Sequence, residues 1–116
     1  MKREVGFNEI LRKIRKDLFG KGPERIHTKF VDNMAVSILY GNMTHSEKFM
    51  SQHENGRQMI DEARTKWIRT ICLGDDYKPI LERYMTNKLV HTFLDFKIEE
   101  DMAVSVLVFE NKIDLD

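Results

Sequence analysis

The chain has 116 residues, 41% apolar and 33% charged, with a formal net charge of zero. That balance excludes a disordered chain, and no apolar run approaches the roughly 20 residues that cross a bilayer. A domain of this length buries about two-thirds of its unfolded surface, so it needs neither a disulfide nor a metal to fold, and the single Cys72 excludes an internal disulfide.

Phe7, Ile10, Leu11, Ile14 and Leu18 recur at helical spacing, predicting an amphipathic helix from about residue 3 to 19 with Arg12, Lys13, Arg15 and Lys16 on the remaining arc. The start, Met1-Lys2-Arg3-Glu4, leads into this pattern and not into an apolar leader, so the cytoplasm is the expected compartment. Gly20 fits the left-handed position after a helix, and Pro23 holds Gly22 extended and prevents the helix from resuming. Two extended runs follow, 25–31 and 34–41, around the turn pair Asp32-Asn33. Met34, Val36, Ile38 and Tyr40 alternate with Ala35, Ser37, Leu39 and Gly41, the pattern of a hairpin with one buried face.

Thr44-His45-Ser46-Glu47 is a capping box opening a short helix, with Phe49 and Met50 expected inside and a break at Asn55-Gly56. A longer helix is expected over 57–73, with Met59, Ile60, Ala63, Trp67 and Ile71 along its buried face and Gly74 at its end. Asp75 or Asp76 caps a further helix to about residue 86, with Pro79 in its first turn. Strands are expected over 88–96 and 102–110, joined by Glu99-Glu100-Asp101, and the acidic tail 112–116 is expected to fray beyond a single domain of residues 1–111. Met-Ala-Val-Ser occurs twice, at 34–37 and 102–105.

The order α-β-β-α-α-α-β-β predicts an α+β fold, two hairpins forming one antiparallel sheet with helices on one face. A last strand that is apolar on both sides needs its second face covered, so a homodimer is expected.

Gly20-Lys21-Gly22-Pro23 invites comparison with phosphate loops but follows a helix where such a loop precedes one, so it reads as a helix stop. The basic front of the chain (Arg12, Arg15, Lys16, Lys21 and Arg25 foremost) faces an acidic back that includes Asp95, Glu99, Glu100, Asp101 and Glu110. An anion or partner contact on those five cations is the alternative reading. Nucleic acid is disfavoured but left open, because no aromatic side chains interleave the cluster. His27, His45, His53 and His91 are scattered without metal-ligand spacing, Cys72 lacks an activating partner, and no catalytic signature occurs, so neither enzyme activity, nor a metal, nor a cofactor is expected.

Four stretches carry a family resemblance: Gly20-Lys21-Gly22-Pro23-Glu24-Arg25-Ile26; Gly41-Asn42-Met43-Thr44-His45-Ser46-Glu47, similar to a Gly-x-Leu-Thr-x-x-Glu pattern with Met43 in place of Leu; Gly56-Arg57 opening a charged helix with Arg64; and the strand pair from Lys88-Leu89-Val90 to Val108-Phe109-Glu110. In these the chain resembles the bacterial MpsC domain family, also described as YbcI-like. The family takes its name from the soluble component of a sodium-translocating, membrane-potential-generating system. The resemblance implies a stand-alone cytoplasmic domain, an accessory to a membrane cation or bicarbonate transport complex. It supplies no catalytic residue, and Gly20, Gly22, Pro23, Thr44, Glu47 and Gly56 are its structural positions.

Overall fold

The computed structural model describes residues 2–67 and 77–115. Ile71, Cys72, Leu73, Gly74, Asp75 and Asp76, and with them the expected end of the long helix and the cap of the next, lie outside the described residues. The elements are α1 (Lys2–Phe19), β1 (Arg25–Val31), β2 (Met34–Tyr40), α2 (His45–Met50), α3 (Glu54–Trp67), α4 (Lys78–Met85), β3 (Leu89–Lys97) and β4 (Met102–Phe109), with one 3-10 turn at Ile98–Glu100. The strands form one antiparallel sheet in the order β1-β2-β4-β3, so the two hairpins join through β2 and β4. The expected α+β architecture and element order are those observed.

The first helix buries Phe7, Leu11 and Ile14 against the sheet, and Phe7 meets Phe30 edge-on at 5.6 Å. It stops where the sequence says: Gly20 adopts φ +80° and its amide donates to the Lys16 carbonyl at 2.8 Å. Arg15, however, is only 6% exposed. It follows Leu11 by four residues and Ile14 by one, which places it on the inner edge of the apolar stripe and not on the solvent arc.

The sheet turns small side chains inward. Ala35, Ser37 and Leu39 on β2 and Ala103, Ser105 and Leu107 on β4 are buried, and Ser37 pairs directly with Ser105. The repeated Met-Ala-Val-Ser is thus one packing solution used twice, on adjacent central strands. Small residues let α1 approach closely, and a polar thread crosses the contact: the Thr28 hydroxyl donates to Asn8 and lies 2.8 Å from the Ser37 hydroxyl.

Three expectations are corrected. In α2, Phe49 is 70% exposed and Met50 is also exposed, because this six-residue helix buries no side chain. The break between helices falls at Ser51–His53, and Asn55-Gly56 lies within the first turn of α3. A Cβ at Gly56 would overlap the Met50 carbonyl oxygen, so glycine is required here by the close approach of two helices. At the C-terminal end, Ile113 is 4% exposed within the main core and its amide donates to the Asp32 carbonyl at 2.9 Å, so the chain does not fray at residue 112.

Gly56→Ala forces the α2–α3 corner apart and is expected to lower stability by about 1–3 kcal/mol, read from the midpoint of urea unfolding at unchanged m-value.

Candidate functional site

Two features stand out from the packed interior, a buried charged junction and an open apolar sheet face.

The junction is built on the segment between β2 and α2. Thr44 caps α2 as the sequence predicts: its hydroxyl accepts from the Glu47 amide at 3.2 Å, and the Glu47 carboxylate accepts from the Thr44 amide at 2.9 Å. The same carboxylate receives Arg64 from α3, whose Nε and Nη2 donate to Oε2 and Oε1 at 2.8 and 2.6 Å. Arg64 Nη2 also donates to the Asn42 carbonyl at 2.8 Å, and its guanidinium carbon lies 4.1 Å from the Phe19 ring centre and 5.3 Å from that of Phe96. From the β3–β4 connection, Asp101 accepts from the amides of Asn42 and Met43. Burial pushes the Glu47 carboxyl upward, but hydrogen bonds from Arg64 and the Thr44 amide, with the Arg64 charge, outweigh it and hold the carboxyl below the usual range.

The sequence places the buried face of α3 on Met59, Ile60, Ala63, Trp67 and Ile71. Ile60 is buried as expected, but Arg64 is buried beside it, while Met59, Ala63 and Trp67 point outward. A guanidinium occupies the inner position, and its counter-charge lies 17 residues away on another helix. The signal available was the spacing itself: Arg64 follows Ile60 by four residues, a little over one helical turn, and so shares its inner face.

The five cations singled out in the sequence do not converge. Lys21 donates to the carbonyls of Gly41 and Met43 at 2.8 and 3.3 Å, fastening the loop that leads into α2. Arg12 pairs with Glu9 at 2.6 Å and reaches the Pro23 carbonyl at 3.4 Å, with Gly22 lying against its side chain. Arg15 is buried beside a small cavity lined by Leu11, Ile14 and Leu81, Lys16 is exposed, and Arg25 lies over the Tyr40 ring at 4.3 Å. All four histidines are exposed. Among the described residues, no group of three or more His, Cys, Asp or Glu side chains is placed to hold a metal ion, and no helix is long and apolar enough to cross a membrane.

The second feature is the sheet face turned away from the helices. Register and alternation set four rows across β1, β2, β4 and β3: Arg25-Tyr40-Met102-Lys97, His27-Ile38-Val104-Asp95, Lys29-Val36-Val106-Phe93 and Val31-Met34-Val108-His91. The two central columns are wholly apolar or aromatic. Every residue in them is only half-buried, and Phe93 is 61% exposed.

The family model for the Na+-translocating membrane potential-generating system (MpsC) matches residues 1–111. The chain belongs to the MpsC family. It is 56% identical over 108 residues to the uncharacterized protein YrhF of Bacillus subtilis (strain 168), an alignment covering 93% of this chain and 88% of that protein. No solved structure matches. Within this MpsC domain, the stretch Gly41–Glu47 is explained by the junction: it delivers the Asn42 carbonyl, the Thr44 cap and the Glu47 carboxylate to one guanidinium.

Arg64→Leu leaves the inner Glu47 carboxylate without its cation and is expected to cost about 3–5 kcal/mol in stability, measured by chemical denaturation. A carboxyl held low in the folded state contributes stability that is complete above its unfolded value, about 4.3, and is lost as pH falls through the folded value. The wild-type chain is therefore expected to lose stability on acidification below about pH 4.3, and Glu47→Gln is expected to be less stable at pH 7 with a shallower acid limb, read from thermal midpoints across pH.

Proposed function

We propose that this chain is a non-enzymatic interaction component of a membrane-potential-generating system, acting from the cytoplasmic side on a membrane cation or bicarbonate transporter and working as a homodimer. The observation that carries this reading is the amount of apolar surface turned outward in two separate places. One is the open sheet face. The other is the outer side of the α2–α3 pair, where Phe49, Met59 and Trp67 are all exposed. Isolated exposed apolar residues are ordinary, but an apolar face that runs across adjacent strands marks a surface that binds other proteins. The family name supports the membrane system as the setting. With no helix long and apolar enough to cross a membrane among the described residues, the link to the bilayer runs through a partner.

The α2–α3 patch fits a protein contact of modest size. Met59, Ala63 and Trp67 stack at i, i+4 and i+8 on one side of α3, and Trp67 is held by stacking on Phe19 at 6.2 Å between ring centres. A held aromatic anchor among flexible apolar neighbours is the composition of binding hot spots.

Deleting the gene is expected to lower the membrane potential read by a voltage-sensitive dye. Wild-type chain and a Cys72→Ser variant restore it, and Met59→Asp combined with Phe49→Asp does not, at equal protein levels. An unchanged potential in the deletion strain overturns the reading, and failure of Cys72→Ser alone points to thiol chemistry instead.

A further inference from the structure

The geometry points to a second copy of this chain as the occupant of the open sheet face, packed sheet on sheet with the two-fold axis parallel to the strands. This rests on the reading of that face as a docking surface and names its partner.

Size allows a small dimer interface. Four strands at about 4.8 Å spacing and seven residues at about 3.4 Å rise give a face of roughly 19 by 24 Å. That is about 450 Å² in projection, or roughly 900 Å² for two faces before side-chain relief is counted, at the low end for a specific interface. Composition supports it too. The middle of the face is Val36, Ile38, Val104 and Val106, short β-branched side chains of nearly uniform height, flanked by Met34, Tyr40, Met102 and Val108. Such a surface interdigitates with another β-sheet at the spacing of about 10 Å found in sandwiches.

Charge selects the arrangement. Apart from Val31, the outer column on β1 is basic or titratable: Arg25, His27 and Lys29. The outer column on β3 carries Asp95 between Phe93 and Lys97, with His91 at its end. A two-fold axis across the strands stacks β1 on the partner's β1 and sets basic column against basic column. An axis along the strands stacks β1 over β3 and β2 over β4. Val36 and Ile38 then meet the partner's Val106 and the partner's Val104, and the partner's Asp95 lies opposite His27 between Arg25 and Lys29. Lys29 faces the partner's Phe93, and at the end of the face Arg25 comes opposite the partner's Lys97. Pairing through a free sheet edge would leave the whole face uncovered, and the irregularity between Leu89 and His91 blunts the β3 edge against it.

Light scattering on the purified full chain at tens of micromolar is expected to give twice the chain mass, and Val106→Glu the mass of one chain with an unchanged far-UV spectrum. A wild-type monomer, or a Val106→Glu variant that remains dimeric, overturns the second copy. A wild-type monomer removes the homodimer from the proposed function but leaves the membrane-potential result above unaffected, so the membrane role and the second copy fail separately. Cross-linking tests the axis and does not depend on how Val106→Glu folds. In a Cys72→Ser background, Lys29→Cys mixed with Phe93→Cys is expected to give a cross-linked dimer with a short bismaleimide, and Lys29→Cys alone none. Cross-linking of Lys29→Cys with itself, without the mixed product, overturns the axis along the strands.

Discussion

The fold is held at one point by a buried charge. The Arg64 side chain is 2% exposed, and a guanidinium withdrawn from water to that degree persists only when its donors meet fixed acceptors. Here they meet the Glu47 carboxylate twice and the Asn42 carbonyl once, while the rings of Phe19 and Phe96 pack near its flat faces. Those contacts come from α1, the β2–α2 loop, α2 and β3. No local interaction could orient α3 on the sheet this way, because the apolar contacts of that helix among the described residues centre on Ile60. Arg64 substitutes a directional contact for a missing apolar one. Lys21 and Asp101 then fix the loop from either side, by donating to its carbonyls and accepting from its amides.

This accounts for how the sequence could be read. Helix α1, the turn at Asp32-Asn33, the capping box and all four strands were legible because each is decided by local chemistry: a stripe at helical period, a glycine stop, a hydroxyl three residues before a carboxylate, alternation at period two. The orientation of α3 was not legible. Met59, Ala63 and Trp67 form a valid helical stripe, and a rule that turns apolar stripes inward selects it. The inner stripe is Ile60 and Arg64, and a charge there reads as solvent-facing unless its partner is known. The basic cluster misled for a related reason. Proximity in sequence suggested convergence in space, whereas Arg12, Lys21 and Arg25 meet a carboxylate, two carbonyls and a ring respectively, Arg15 turns inward and Lys16 is exposed.

The sheet shows the same limit from the opposite side. Alternation on β2 marked two faces without saying which was inner. Volume would suggest that Val36 and Ile38 are core and that Ala35 and Ser37 are surface. The reverse holds because α1 brings its own large residues, Phe7, Leu11 and Ile14, and needs a shallow floor to receive them. Packing at near-crystalline density leaves room for large side chains from one layer only. The valines and isoleucine are thereby displaced to the far side of the sheet.

That displacement connects the interior to the outer surfaces. A strand that carries small residues inward and β-branched residues outward is stable as a strand but leaves its larger apolar side in water, a cost that association removes. The two outward apolar surfaces lie on opposite sides of the domain, because Ile60 and Arg64 hold α3 on the helix side of the sheet while Met59 and Trp67 face away from it. Burying the sheet face between two copies therefore leaves both α2–α3 patches free and related by the two-fold axis. Two weak contacts in one rigid body bind a two-fold or clustered membrane target far more tightly than either does alone, since the second forms at the effective concentration set by the first. On this view the small-residue floor under α1 and the outward tryptophan on α3 belong to one design, in which the core packing determines which surfaces are left to assemble.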